Sequence, residues 1–123
     1  MYSNWQTPAR IIARSKLSGF GEHWGVQLPD GTVAHLTQDG EQIVSLAEFA
    51  QSRPFKEISR AAPEQYGQIV GRAMASLQNP GQYRLLDRNC ETYATWLMGE
   101  KPRSPQVEGM ALLALVIAFI RFA

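Results

Sequence analysis

Two histidines and one cysteine are the side chains of this chain best suited to covalent chemistry. His23 and His35 lie in the stretch HWGVQLPDGTVAHL, and Cys90 lies in RNCETYATW. An imidazole can exchange a proton near neutral pH, and a thiolate is a strong nucleophile. A cysteine placed beside an imidazole is the pattern of nucleophilic catalysis. The fold must bring these distant residues together before that chemistry is possible.

The turn between the two histidines decides whether they can meet. Residues 28–31 read LPDG, with proline second and glycine fourth, which predicts a type I turn followed by a G1 bulge. The resulting three-residue loop would pair Leu28 with Thr32. A two-residue Asp30-Gly31 turn would shift the pairing by one residue and move one histidine to the other face.

With the three-residue loop, both histidines lie on one face of the hairpin. The count outward sets Gly25 opposite His35 and His23 opposite Thr37, so the imidazoles are diagonal neighbours. Gly25 would leave open space across from His35. The opposite face would carry an apolar stripe suited to the core: Trp24, Val26 and Leu28. Alternatively, the histidines are unrelated surface residues of an ordinary hairpin.

Cys90 is predicted to lie in the first turn of a helix over residues 90–98. Asp87 or Asn89 can cap this helix and Gly99 can end it. Free amides and the helix dipole at such a position are expected to lower the pKa of the thiol and could help to hold an oxyanion. The alternative is an inert buried thiol. One cysteine and two histidines could also supply a zinc site, but no close helical spacing supports a metal, and none is expected.

The remaining elements predict an α+β fold, with a small antiparallel sheet packed against helices on one side. Besides the hairpin, strands are predicted at 8–14, 43–46, 55–59 and 83–86. A short helix at 46–51 begins with the capping-box pattern Ser45 to Glu48. A longer helix starts at Pro63, ends at Asn79, and carries one apolar stripe: Tyr66, Ile69, Val70, Ala73, Met74 and Leu77.

Composition narrows the class of protein. The 123 residues fit one domain, and the formal net charge of +1 gives no electrostatic footprint for nucleic acid. A single cysteine excludes an intrachain disulfide. The first residues lack the basic and apolar regions of a secretory signal, so a cytoplasmic location is expected. The oligomeric state is left open.

The C-terminal tail, residues 106–123, is strongly apolar. Its central run MALLALVIAFI, residues 110–120, is shorter than the roughly 20 residues of a spanning helix. It is predicted to form a hydrophobic helix that dips into a membrane, packs on the domain or binds a partner. The residues predicted to face a membrane are Met110, Leu112, Leu113, Leu115, Val116, Ile117, Phe119 and Ile120.

The motifs HWG at residues 23–25, His35, and Asn89-Cys90-Glu91 occur in the order and spacing of a known family. Across residues 8–100 the chain resembles the lecithin:retinol acyltransferase-like proteins of the circularly permuted papain-like thiol superfamily. The resemblance implies a permuted papain-like domain over residues 1–105, with the tail as a membrane anchor. It implies no cofactor.

The resemblance also implies roles for individual residues. Cys90 would be the nucleophile, His23 the general base and later the general acid, and His35 the third member of a triad. The implied reaction cleaves an acyl ester, often of a phospholipid, through a thioester, and passes the acyl group to water, an amine or an alcohol. Residues flanking the triad would contact substrate: Trp24, Gly25 and Asn89.

The chain departs from the family pattern at two places. Thr92 and Tyr93 follow the NCE motif, where many relatives have histidine and phenylalanine. Gly21 and Glu22 precede His23, so no arginine or tyrosine there can hold an oxyanion, and the second oxyanion donor is unassigned.

Two other functions compete with the lipid acyltransferase or phospholipase. One is a permuted papain-like amidase or peptidase acting on cell-wall or protein-conjugate amides. The other is a non-catalytic, membrane-attached interaction module.

Overall fold

The computed structural model describes residues 7–16, 21–80, 89–100 and 105. This part of the chain forms a five-stranded antiparallel sheet in the order β4-β3-β2-β1-β5. Its strands are β1 (Arg10–Ser15), β2 (Glu22–Gln27), β3 (Val33–Thr37), β4 (Gly40–Val44) and β5 (Phe55–Arg60). Its helices are α1 (Leu46–Ala50), α2 (Tyr66–Gln78) and α3 (Cys90–Leu97), with a 3-10 turn at Pro63–Gln65. The predicted α+β class, an antiparallel sheet with helices, is confirmed.

Some predicted elements lie outside the described residues. These are the strand at 83–86, the hydrophobic helix of the tail at 106–123, and the residues predicted to face a membrane. Among the ranges that are described, no helix is both long enough and apolar enough to cross a bilayer.

The turn between β2 and β3 has the three-residue loop that the sequence predicts. The Leu28 amide donates to the Thr32 carbonyl at 2.7 Å, and the Gly31 amide donates to the Leu28 carbonyl at 2.8 Å. Gly31 has φ +93°, in the region that favours glycine. The Asp30 carboxylate accepts from the Thr32 amide at 3.0 Å and from its hydroxyl at 2.6 Å. The side chain of Asp30 therefore holds the loop in this length.

The register of the hairpin follows from that loop. Val26 pairs with Ala34 and Gln27 with Val33, where the ladder between β2 and β3 ends. The pairing of Gly25 with His35 and of His23 with Thr37 stays a prediction. The other face of β2 is buried in the main core as predicted: Trp24, Val26 and Leu28.

The sheet is covered on both faces, and not on one as predicted. Ile11 and Ala13 of β1 point into the main core, which also contains residues of α2 and α3. Ile12 points the other way, into a smaller cluster with Val33 and Phe49 of α1. Because successive side chains of a strand alternate, α1 must cover the face opposite α2 and α3. The sequence pattern does not predict the covering of this second face, because only the short helix α1 packs on it.

Phe49 fills the space over Gly25, which the sequence predicts to be open. A Cβ added at Gly25 would lie 2.7 Å from Val33 Cγ1 and 2.8 Å from Phe49 Cε1. The prediction of open space is therefore wrong, and glycine is needed here for close packing. Ser45 fixes the start of α1, because its hydroxyl accepts from the Glu48 amide at 3.1 Å, as the capping-box pattern predicts.

The predicted apolar stripe of α2 is only partly buried. Ile69 and Ala73 are fully buried, whereas Met74 and Leu77 are 46% and 41% exposed. Ser76 takes a buried position instead. The helix is therefore rotated relative to the predicted orientation, so that a small polar residue faces α3.

We expect Gly25→Ala to lower the stability of the fold, because the new methyl group overlaps Val33 and the Phe49 ring. Overpacking of this kind costs about 1–3 kcal/mol, which corresponds to a fall in Tm of about 4 °C or more for a small domain. Thermal unfolding followed by circular dichroism measures the change.

The matched control is Gly71→Ala in α2, where an added Cβ has no neighbour within 4 Å. It should raise stability by about 0.5–1 kcal/mol, since alanine favours a helix over glycine. Equal Tm values for Gly25→Ala and the unmodified chain would contradict the packing of Phe49 on Gly25.

Candidate active site

The two histidines meet, as the hairpin register predicts. His23 Nε2 and His35 Nδ1 lie 2.7 Å apart, within hydrogen-bond distance, and the ring centroids are 5.0 Å apart. One nitrogen must donate and the other accept, so the two imidazoles form one hydrogen-bonded unit. His35 is 7% exposed, which makes it a buried polar side chain with a specific partner.

Phe49 forms the apolar wall of this histidine pair. Its ring stacks on His23 with centroids 5.5 Å apart and meets His35 edge-on at 5.7 Å. The same ring occupies the space over Gly25. Phe49 thus fixes both ring orientations and excludes water from one side of the pair.

Arg14 is a charged residue of the site that is not among those predicted from the sequence. It lies directly opposite His23 in the pairing of β1 with β2 and is only 9% exposed. Its Nε donates to the Phe49 carbonyl, its Nη1 donates to the Ser15 carbonyl at 3.0 Å, and its Cζ lies 5.4 Å from the Phe49 ring centroid. The alternation of side chains along β1 could have indicated the burial of Arg14, since Arg14 shares a face with the buried Ile12.

Both histidines are held neutral at physiological pH. Burial lowers the pKa of His23 to about 3, and the neighbouring His35 and Arg14 charges act in the same direction. Burial likewise lowers the pKa of His35 to about 4, followed by the effect of Arg14. A neutral imidazole can accept a proton, so the pair is in the protonation state that a general base requires.

Asn89 caps the helix that begins with Cys90. Its side-chain oxygen accepts from the amides of Glu91 and Thr92, each at 3.0 Å, and the Thr92 hydroxyl accepts from the Asn89 amide at 2.9 Å. This confirms the predicted helix start and selects Asn89 over Asp87 as the cap. Because the cap occupies two amides, the Cys90 N–H is the one in this turn best placed to serve an oxyanion.

Thr92 and Tyr93, which follow Asn89-Cys90-Glu91, both make structural contacts. Thr92 completes the reciprocal cap with Asn89. The Tyr93 hydroxyl lies 2.6 Å from the Ser76 hydroxyl, which joins α3 to the buried polar position of α2. These two residues therefore support the start and the packing of α3.

Cys90 is buried, and its environment differs from the one predicted. It is 3% exposed and belongs to the main core beside Trp24. Burial raises the pKa of the thiol, although the backbone N–H groups of Trp24 and of Cys90 itself stabilise the thiolate. The prediction that the helix start lowers this pKa is wrong, because desolvation outweighs the nearby amides.

The start of α3 approaches the sheet beside the histidine pair. The Trp24 N–H contacts the Cys90 sulfur, and Trp24 follows His23 in β2. Adjacent strand residues point to opposite faces, so the Trp24 side chain lies on the core face and His23 faces α1. The pairing of β2 with β3 comprises Val26 with Ala34 and Gln27 with Val33, which leaves the Trp24 N–H to the sulfur. That the His23 ring reaches this sulfur stays a prediction.

The residues predicted to bind substrate have structural positions of their own. Trp24 is packed in the core with its Nε1 buried and without a partner among the described residues, Gly25 packs against Phe49, and Asn89 is a helix cap. Their contact with a substrate stays a prediction. Within the described ranges, no group of three or more His, Cys, Asp or Glu side chains is placed to hold a metal ion.

We expect stability to fall as pH decreases from about 6.5 to about 5. The unfolded histidines take up protons near pH 6.5, whereas the folded ones, with pKa values of about 3 and about 4, do not. The unfolded state then binds more protons, so acid favours it. Urea unfolding at several pH values measures the slope, and the double variant His23→Gln/His35→Gln should show a flatter one. Imidazole NMR signals that titrate near pH 6.5 in the folded protein would contradict the burial of the pair.

Comparison with protein-family models gives a match to the family described as Lecithin retinol acyltransferase, over residues 44–103. This segment includes Cys90 and α3 but begins after both histidines, so the histidine pair is an independent observation. Comparisons with curated proteins and with solved structures give no match. In the matched segment, and in the HWG and second-histidine pattern that precedes it, the chain is similar to the lecithin:retinol acyltransferase-like family.

Proposed function

We propose that this protein is a cysteine-dependent acyltransferase or hydrolase that acts on acyl-lipid esters, with phospholipids as the principal class. The similarity to this family implies an enzyme of the acyltransferase or thiol hydrolase type. The observation that carries the proposal further is the buried hydrogen bond between His23 and His35. A neutral, oriented imidazole is the proton acceptor that a cysteine nucleophile requires.

His23 is the general base in this proposal. Its Nε2 is engaged by His35, so Nδ1 is the nitrogen left to take the proton of Cys90. Burial keeps the thiol protonated and the imidazole neutral in the free protein. The proton therefore moves as the sulfur attacks, and the pair acts by general-base catalysis.

The proposed reaction then consists of two acyl transfers. Cys90 Sγ attacks the ester carbonyl carbon and forms a C–S bond while its proton passes to His23 Nδ1. The tetrahedral intermediate collapses, the C–O bond breaks, and the leaving alcohol takes that proton. Water, an amine or an alcohol next attacks the thioester with His23 again as base, which releases the acyl product and restores the thiol.

Two groups of the chain can stabilise negative charge during these steps. The Cys90 N–H is the helix-start amide not used by the Asn89 cap, and it can donate to the developing oxyanion. Arg14 supplies a buried positive charge near the sulfur, since the Cys90 thiolate raises the pKa of its guanidinium against the larger effect of burial. The same charge would favour the thiolate once it forms.

The permuted papain-like architecture and the membrane role of the tail belong to the same proposal. A buried site with neutral resting groups suits an apolar substrate that excludes water. The apolar run at residues 110–120 would bring the domain to a lipid surface, where such substrates are concentrated.

We expect an acyl adduct on Cys90 after the protein is mixed with phospholipid vesicles. Intact-mass spectrometry should show one added acyl chain in the unmodified protein and none in Cys90→Ala. His23→Ala should reduce acyl release by about 10²–10⁴-fold, because it removes the proton acceptor. His35→Ala should cost less, since it removes only the partner that orients His23.

Met74→Ser is the control for this series, because Met74 is exposed on α2, away from the histidine pair, and it should keep full activity. Equal acyl release by unmodified protein and Cys90→Ala would refute the thiol mechanism. Turnover of peptide amides, with none of lipid esters, would assign the same thiol chemistry to an amidase.

We expect removal of residues 109–123 to weaken vesicle binding while soluble short-chain esters are still hydrolysed. The deletion removes the apolar run but none of the residues of the site. Flotation with phosphatidylcholine vesicles measures binding, and a chromogenic short-chain ester measures turnover. Loss of both would show that the tail is part of the folded domain.

A further inference from the structure

The buried Nε2 of His35 has no hydrogen-bond partner in the part of the chain that the structure describes. His35 uses Nδ1 for its contact with His23, while its Nε2 is buried and unpartnered among the described residues. His35 is 7% exposed. A buried ring nitrogen without a partner is costly, so each neighbour that can reach it matters.

Gln42 is the neighbour placed to satisfy this nitrogen. It lies directly opposite His35 in the pairing of β3 with β4. Directly opposite residues of an antiparallel pair lie on one face, with Cβ atoms about 4.5–5.5 Å apart. A glutamine amide on such a Cβ can reach across to an imidazole. The adjacent Glu41 and Ile43 point to the other face.

The tautomer of His35 decides which way the shared proton points. If Nε2 of His35 carries a proton, its Nδ1 is an acceptor, and His23 must donate from Nε2. His23 Nδ1 is then unprotonated and can take the thiol proton. In the opposite tautomer, His35 Nδ1 donates to His23, the proton of His23 sits on Nδ1, and His23 cannot act as a base toward the sulfur.

We propose that Gln42 is a positioning residue, whose side-chain oxygen accepts the Nε2 proton of His35 and thereby sets the tautomers of both histidines for catalysis. This inference rests on the proposed function, because it assigns Gln42 a use only if His23 serves as the base. Gln42 does not touch the reacting atoms. It acts through His35, which in turn orients His23, the proposed base for Cys90.

An electrostatic observation agrees with this assignment. The contact with the Gln42 side chain raises the pKa of His35, against the larger lowering by burial and by Arg14. A partner that stabilises a protonated ring nitrogen has this sign.

The test compares variants that keep or remove the acceptor. Gln42→Met has a similar length without an acceptor, Gln42→Ala is a second acceptor-free variant, and Gln42→Glu keeps an oxygen at the same place. Gln38→Met is the matched control, because Gln38 lies exposed in the turn of the same β3–β4 hairpin. The chain has two histidines, so long-range ¹H–¹⁵N spectra report the tautomer of each ring separately.

In the unmodified protein, we expect His35 to carry its proton on Nε2 and His23 on Nε2. Gln42→Met and Gln42→Ala should shift His35 toward the Nδ1 tautomer and reduce kcat by about tenfold or more at nearly constant KM, as loss of a ring-orienting partner does. Gln42→Glu should restore both the tautomer and kcat, and Gln38→Met should change neither.

A proton on Nδ1 of His35 in the unmodified protein would overturn the inference. So would an unchanged tautomer and kcat in both acceptor-free variants. Failure of the proposed function gives a different result, because the tautomers are read by NMR whether or not Cys90 is ever acylated. A Gln42-dependent tautomer in a protein without thiol activity would make the contact a structural one and would remove the positioning role.

Discussion

The length of one turn determines the geometry of the whole site. Asp30 holds a three-residue loop between β2 and β3 through two hydrogen bonds to Thr32, and the register that follows lets the two imidazoles meet at 2.7 Å. A shift of one residue would turn one imidazole to the opposite face, because side chains alternate along a strand. The packing of Phe49 depends on the same register, since Gly25 offers room for its ring only on that face.

Burial is the second constraint, and it favours the neutral form of every ionisable group of the site. It lowers the pKa values of both histidines and raises that of Cys90, so each group is neutral at rest. Arg14 is the exception that keeps its charge, because carbonyl oxygens and the Phe49 ring replace its water. The Arg14 charge further lowers the pKa values of both histidines. The imidazoles therefore do not take up protons from neutral solvent and would accept one only by direct transfer from a neighbouring group.

The sequence predicts local features of this fold well, because they depend on neighbouring residues. The LPDG turn, the Ser45 cap and the helix that begins at Cys90 are all encoded within a few positions. The features that the sequence misses depend on tertiary contacts. The position of α1 on the second face, the ring of Phe49 over Gly25, and the burial of Arg14 require knowledge of which elements pack together. The sequence predicts the wrong direction for the pKa shift of Cys90 for the same reason. The helix-end amides can be predicted from neighbouring residues, whereas desolvation depends on tertiary packing.

The neutral resting state has a consequence for how the proposed chemistry would be controlled. A preformed thiolate–imidazolium pair would react with any electrophile that reached it, whereas a buried thiol beside a neutral imidazole needs an acyl carbonyl held in place before the proton can move. The Asn89 cap acts in the same direction, because it uses the Glu91 and Thr92 amides and leaves the Cys90 N–H for the oxyanion. Selectivity would then come from the order of events, with desolvation by an apolar substrate first and proton transfer second. On the proposed mechanism, such a site would favour lipid esters over small soluble electrophiles without requiring a dedicated pocket for the headgroup.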